Sequence, residues 1–324
     1  MLTNYLSIFL NGFFLGLFFV LILRKSKFLI CKSMPAVGGM AIGLSFALAG
    51  LFGFWIYCGS FRQAAGVITA SFIILVFGVI DDRRELSVVT KFGMQIIAAL
   101  LLIFFGVKTQ IVYIGASLNM IITLIWLLGI TNAFNHLDVM DGLAGSSALI
   151  ASLAFSFLAI LSADMKIIVL ALTLSGAILS FLIFNFPPAK IYMGNSGSHL
   201  LGFILAAVAL IISYASMERK IALLSPILIL GLPIFDTAFL IFIRMLKSRS
   251  PLKKSGDHLA LRFLKKGYSK KKTLLCMLGF GFICAFSGVL LTRANNAVGL
   301  TIFFFVLALS LLFAKNMSKV AVDG

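Results

Sequence analysis

Residues Asn119–Leu161 read NMIITLIWLLGITNAFNHLDVMDGLAGSSALIASLAFSFLAIL, two apolar runs around a polar connector. A helix needs about 20 predominantly apolar residues to cross the hydrocarbon core. The stretch supplies two such spans, near 117 to 133 and 142 to 161, so its connector belongs at a membrane surface. Working outward, the same pattern recurs near 3 to 23, 36 to 56, 64 to 80, 91 to 106, 166 to 184, 199 to 213, 222 to 243, 273 to 292 and 297 to 314. The expected fold is an all-α membrane protein, a polytopic helical bundle of about 10–11 transmembrane helices with cytoplasmic loops. The largest polar stretch, Lys247 to Lys272, is too short for a domain of its own, so residues 1–324 are read as one membrane domain.

Composition agrees. The chain is 61% apolar and 11% charged, with a mean hydropathy of +1.14, against roughly 45–50% apolar in a soluble domain. A net charge of +17 on a chain this apolar belongs at a bilayer, and no nucleic-acid partner is expected. Cys31, Cys58, Cys276 and Cys284 show no metal or disulfide spacing and are assigned no chemistry. Gly12 and Gly16 form a GxxxG pair, read as close helix packing.

Basic residues fix the expected sidedness. No Lys or Arg precedes Arg24, so the first span is read as a retained anchor with its N-terminus outside. Alternate loops then divide the 27 basic residues into 21 inside and six outside, the latter Arg62, Lys108, Lys166, Arg219, Lys220 and Arg293. Of the ten acidic residues, seven (Asp81, Asp82, Glu85, Asp138, Asp141, Asp236 and Asp257) fall at or near inner span ends. Carboxylates gathered on a basic face suggest a metal with an anionic ligand, because Asp oxygens hold Mg²⁺ while Lys and Arg hold phosphates. A transporter would bury its charges at the midplane, between repeats.

Four segments carry the chemistry. In FGVIDDRREL, Asp81 and Asp82 close an apolar span, and adjacent helical side chains point about 100° apart, so the two can divide metal and acceptor between them. In GITNAFNHLDVMDGLAG, Asn132, Asn135, Asp138 and Asp141 recur every third residue and would form one helical stripe if the helix continued. NFPPAKIYMGNSGSHLLGF is a Pro-Pro break followed by a Gly- and Ser-rich turn that opens a span, an anion site suited to a diphosphate. The loop SRSPLKKSGDHLALRFLKKGYSKKK is a positive-inside loop that also carries Asp257, His258 and Arg262.

In order, KSMPAVGG, the Asp pair, the Asn and Asp series, PPAKIYMGNSGS, PIFDT and DHLALR resemble the polyprenyl-phosphate N-acetylhexosamine-1-phosphate transferases, the WecA and MraY type within glycosyltransferase family 4. The resemblance runs from about Lys32 to Lys272. It implies transfer of a sugar 1-phosphate from a UDP-sugar, a simple UDP-N-acetylhexosamine such as UDP-N-acetylglucosamine rather than the peptidoglycan precursor, to a polyprenyl phosphate such as undecaprenyl phosphate. UMP leaves, and the product is a lipid-linked diphosphate sugar for cell-envelope polysaccharide. It implies Mg²⁺, with Mn²⁺ as the other candidate ion, at the inner membrane with the site facing the cytoplasm. A homodimer is compatible with it.

The resemblance assigns catalytic positions to Asp81, Asp82, Asp138, Asp141 and His258, and substrate contacts to Lys32, Lys91, Asn132, Asn135, Gly194, Ser196 and Arg262. Asp82, Asp138 and Asn195 are the expected metal ligands. Asp236 of PIFDT matches a family acid without a derived role. Two departures stand out: Asn195 replaces the family's metal-ligating Asp, and Ala260 and Leu261 stand where histidines are expected. They motivate one alternative, an impaired relative that only binds lipid phosphate or nucleotide sugar. A membrane transporter is the other.

Overall fold

The computed structural model describes residues 1–25, 30–31, 34–58, 62–212, 214, 219–248 and 256–320. The chain runs α1 Leu2–Leu23, α2 Gly38–Tyr57, α3 Arg62–Arg83, α4 Val88–Phe104, α5 Gly115–Leu137, α6 Leu143–Leu161, α7 Met165–Asn185 and α8 Gly194–Ile211. A 3-10 turn, Lys220–Leu224, leads into α9 Ser225–Ile229, α10 Gly231–Leu246, α11 Leu259–Lys265, α12 Lys270–Leu291 and α13 Asn296–Ser318. A two-residue antiparallel pair, Ile30–Cys31 with Met34–Pro35, is the sheet among the described residues.

Nine of these helices are long and apolar enough to cross a membrane, and α4 is a shorter apolar helix. The eleventh apolar segment, expected as one span from 222 to 243, is broken. The helices Lys220–Ile229 and Gly231–Leu246 meet at 76°. The reason is local: Pro233 has no N–H to give the carbonyl of Ile229, and its ring collides with that carbonyl in a continuous helix. The protein is thus a multi-pass, all-α membrane protein.

Side-chain caps place several helix starts. Ser87 accepts from Thr90 N, Asp164 from Lys166 N, Ser269 from Lys272 N and Asn295 from Val298 N. The centre of the bundle is α7 and α8. Close approach is built from small residues: a Cβ on Gly12 would lie 2.4 Å from the carbonyl oxygen of Thr173, and one on Gly176 would lie 2.2 Å from that of Phe9. This welds α1 to α7, as expected of the GxxxG pair. A second apolar cluster joins the end of α5 to α10, α11, α12 and α13 through Leu137, Phe239, Phe263, Met277 and Met317.

One end of the bundle collects the end of α3, the starts of α4 and α8, the end of α5 and the α5–α6 connector. Asp82 touches Asn195 there, Asn135 touches Ser198, and Asn185 accepts from Gly142 N. The MPAVGG segment, residues 34–39, arrives at the same end. Gly38 N and Gly39 N donate to the carbonyls of Tyr192 and Met193, so the segment lies along IYMG.

Candidate active site at the ends of α3, α5 and α8

The adjacent aspartates of α3 do different work. Asp81 is buried, accepts from Leu86 N at 2.8 Å and pairs with Lys91 Nζ at 2.8 Å. It therefore folds the α3–α4 turn back and fixes the lysine. Asp82 turns the other way and caps α8: Oδ1 accepts from Asn195 N at 2.6 Å and Oδ2 from Ser196 N at 3.0 Å. A carboxylate at a helix N-terminus satisfies orphan amides and complements the dipole. The anion position read from the sequence at this turn is thus filled by the protein's own side chain. Gly194 makes room for it, with φ at +75° and a hypothetical Cβ only 2.5 Å from Asp82 Oδ2. Ser196 is fully buried and contributes its backbone N–H.

The Asn and Asp series does not form one stripe. Helix α5 ends at Leu137, and Asp138 sits at the C-cap with ψ at 54°, outside helical geometry. The expectation of a continuous stripe through Asp141 is corrected by that turn. Asn132 faces α4, where its amide exchanges hydrogen bonds with Gln95 at 2.7 and 3.4 Å. Asn135 donates to Asn195 Oδ1 at 3.1 Å and to Ser198 Oγ at 2.9 Å, tying α5 to α8. Asp138 accepts no hydrogen bond from any described residue. Its carboxyl is pushed up to about 7, first by burial and then by the nearby carboxylates of Asp82 and Asp141. Asp141 lies 3.8 Å from the exposed Lys270 Nζ.

A small cleft of about 30 Å³ opens beside Asp81. Its walls are Ile74, Phe77, Leu86 and Met94, and its polar groups are Asp81, Lys91, Gln95 and His199. His199 is held by Nδ1 against the carbonyl of Asn195 at 2.8 Å. A carbonyl only accepts, so Nδ1 carries the hydrogen.

The basic loop returns to the bundle through Asp236. His258 Nδ1 lies 3.2 Å from Asp236 Oδ2, and Leu259 N donates to Asp236 Oδ1 at 3.1 Å. The PIFDT acid therefore starts α11 and orients His258. Arg262 is not brought to the site. It is 1% exposed and spends its guanidinium on Asp257 and on the carbonyls of Met317 and Val320, with its face over Phe239. Asp257 also pairs with Lys247 at 2.7 Å. The expected diphosphate contact at Arg262 is replaced by a lock between this loop and the end of α13. Lys32 lies outside the described residues.

Three groups went unread in the sequence: His136, Gln95 and Asn185. His136 stands beside His258, ring centroids 6.2 Å apart. Asn185 ties the α5–α6 connector to the carbonyl of Ile191. A signal was there for His136, since the chain has only three histidines and all lie at this end.

Among the described residues, no three His, Cys, Asp or Glu side chains form a complete chelate. Mg²⁺ does not need one, because it keeps waters and commonly takes one or two carboxylates plus substrate phosphates. Asp138, without a hydrogen-bond donor among the described residues and close enough to Asp82 and Asp141 for their carboxylates to oppose its ionisation, fits such an ion. The amide oxygen of Asn195 accepts from Asn135 and adds no charge.

These features define a membrane enzyme with a carboxylate-rich site at its helix ends. The sequence profile of glycosyl transferase family 4 matches residues 64–213. A probable undecaprenyl-phosphate N-acetylglucosaminyl 1-phosphate transferase of Bacillus subtilis is 31% identical over 292 residues, covering 88% of this chain and 80% of the relative. A decaprenyl-phosphate N-acetylglucosaminephosphotransferase of Mycolicibacterium smegmatis is 33% identical, covering 78% and 70%. An undecaprenyl-phosphate alpha-N-acetylglucosaminyl 1-phosphate transferase of Thermotoga maritima is 26% identical, covering 78% and 75%. The chain belongs to glycosyl transferase family 4, among the polyprenyl-phosphate N-acetylhexosamine-1-phosphate transferases.

Proposed function

We propose that the protein transfers N-acetylhexosamine 1-phosphate from a UDP-sugar to a polyprenyl phosphate at the cytoplasmic face of the inner membrane, with its N-terminus outside. The observation that carries this is the gathering of Asp81, Asp82, Asp138, Asp141 and Lys91 at one end of the bundle, beside an apolar-walled cleft; the count of basic residues in alternate loops supports reading that end as the inner one. The relatives named above support the same reaction, whereas neither transport nor loss of catalysis is favoured by them.

An isoprenoid tail stays in lipid and a nucleotide sugar stays in water, so the reacting groups meet at helix ends. In this reading Ile74, Phe77 and Met94 receive the first isoprene units, and Lys91 with Gln95 faces the lipid phosphate. A phosphate monoester is already largely dianionic at pH 7, since its second pKa is about 6. Its oxygen attacks the phosphorus that carries the sugar; the bond between the two donor phosphates breaks, and UMP leaves with the electron pair. Asp138, with Asp82 and Asn195 beside it, would hold Mg²⁺, which when bound neutralises charge on the donor phosphates. Asp81 positions Lys91, and Asp236 positions His258.

The test is purified protein with radiolabelled UDP-N-acetylglucosamine, undecaprenyl phosphate and Mg²⁺. Lipid-linked radioactivity and equimolar UMP are expected. Absence of both, with a panel of other UDP-sugars also inert, overturns the reading.

A further inference from the structure

His136 is a chemistry-bearing side chain at this end that the scheme above leaves unused. It occupies the last turn of α5, two residues before Asp138, and is half-buried without a hydrogen bond from any described residue. Its nearest ring is His258, with centroids 6.2 Å apart and planes inclined at 38°. His258 is pinned from its Nδ1 side by Asp236 Oδ2, so Nε2 is the nitrogen left to meet a ligand. The other charged or titratable groups around His136 are Arg244, Asp236 and His199. The imidazoles of His258 and His199 and the guanidinium of Arg244, which itself faces Asp257, offer N–H donors around His136, and N–H donors suit an anion. Among the described residues the pair has no third metal-binding side chain.

The spacing suits a phosphate. Two ring nitrogens, each about 2.8 Å from an oxygen, bracket one phosphoryl group when their rings stand this far apart. The neighbouring centre has an amide, Asn195, where a further carboxylate would draw a metal closer. Phosphate charge there depends more heavily on N–H donors from the protein.

We propose that His136, beside His258, donates a hydrogen bond to the diphosphate of the nucleotide-sugar donor. The proposal rests on the transferase reading and assigns a substrate contact that the loop histidine alone does not supply.

Detergent-purified full-length protein is titrated calorimetrically with UDP, and KM is measured separately for UDP-N-acetylglucosamine and undecaprenyl phosphate. His136→Ala is expected to weaken UDP binding and raise the donor KM by about tenfold, the weight of a charge-assisted hydrogen bond. The acceptor KM stays unchanged. His136→Gln keeps an N–H donor at similar reach and recovers most of the affinity, which a purely structural histidine would not show. UDP affinity in His136→Ala equal to that of the unaltered protein overturns the proposal. So does a loss that falls equally on both KM values, lowers Tm and is not rescued by Gln. If the unaltered protein binds no UDP, the transferase reading itself falls, an outcome distinguishable from the other two.

Discussion

Asp82 on α3 grips Asn195 through its backbone, with Oδ1 2.6 Å from the amide nitrogen, while Oδ2 takes the next amide, Ser196, at 3.0 Å. The first turn of α8 is thus held by a residue 113 positions earlier. Asp82→Ala leaves two helix-end amides without their acceptor. A capping loss of about 1–2 kcal/mol is expected, together with loss of UMP release. Asp82→Asn keeps the shape and one acceptor oxygen, so it should recover much of the Tm while activity stays low. Thermal unfolding in detergent alongside the UMP assay separates the two effects. Equal Tm in all three proteins would show that the cap carries no stability.

Gly194 is where the same contact meets backbone conformation. At φ +75° a side chain is strained, and its Cβ would stand 2.5 Å from Asp82 Oδ2. Gly194→Ala must therefore push Asp82 off the α8 amides or distort the turn. A destabilisation of about 1–3 kcal/mol and at least a tenfold fall in kcat are expected. Near-normal stability and rate would show that the turn relaxes without moving Asp82.

Much of this arrangement was legible in the sequence. The apolar segments became helical, because hydrocarbon leaves backbone groups no other partner, the one from 222 to 243 as two helices meeting at a bend. Asp81, Asp82, Asp138 and Asp141, all beside the ends of apolar runs, come together at one end of the bundle. Partners were not legible. Asp82 with Asn195, Asn132 with Gln95 and Asp236 with His258 are contacts between residues far apart in the chain, decided by helix packing. The triplet spacing of Asn132, Asn135, Asp138 and Asp141 suggested one stripe, but α5 stops at Leu137 and each residue took a different task. The resemblance implied a substrate contact at Arg262, and burial at 1% exposure made it a lock instead.

Asn195 bears on metal affinity directly. Its side-chain oxygen already accepts from Asn135, so Asn195→Asp keeps that bond and adds a negative charge. The Mg²⁺ concentration for half-maximal activity should fall, by about tenfold if the new carboxylate reaches the ion. An unchanged or higher requirement would place residue 195 outside the ion's coordination shell.

Asp236 lies 1% exposed and serves His258 and Leu259 together. Asp236→Asn retains one acceptor for Leu259 N and removes the charge facing the imidazole, whereas Asp236→Leu removes both. The Leu variant should lose about 1–3 kcal/mol, because Leu259 N is left buried without an acceptor. The Asn variant should remain folded with a reduced kcat, since His258 is no longer oriented. Intact kcat in the Asn variant would show that the orientation of His258 is irrelevant to the reaction.

Asp138 gives the site a pH signature with a definite sign. Its carboxyl rises from 3.8 to about 7 in the folded protein, where burial and then Asp82 and Asp141 oppose ionisation. Because the folded state holds the proton more tightly than the unfolded chain, the metal-free protein is favoured at low pH. That contribution fades as pH climbs from about 4 through about 7. A divalent ion requires the ionised form, so proton and Mg²⁺ compete for the same oxygens. The Mg²⁺ concentration for half-maximal activity should therefore rise about tenfold for each pH unit below 7 and level off above it. Asp138→Asn removes the titrating group, so its residual Mg²⁺ dependence should be flat over the same range. A requirement in the unaltered protein that does not vary between pH 5.5 and 7 would mean that Asp138 does not bind the ion.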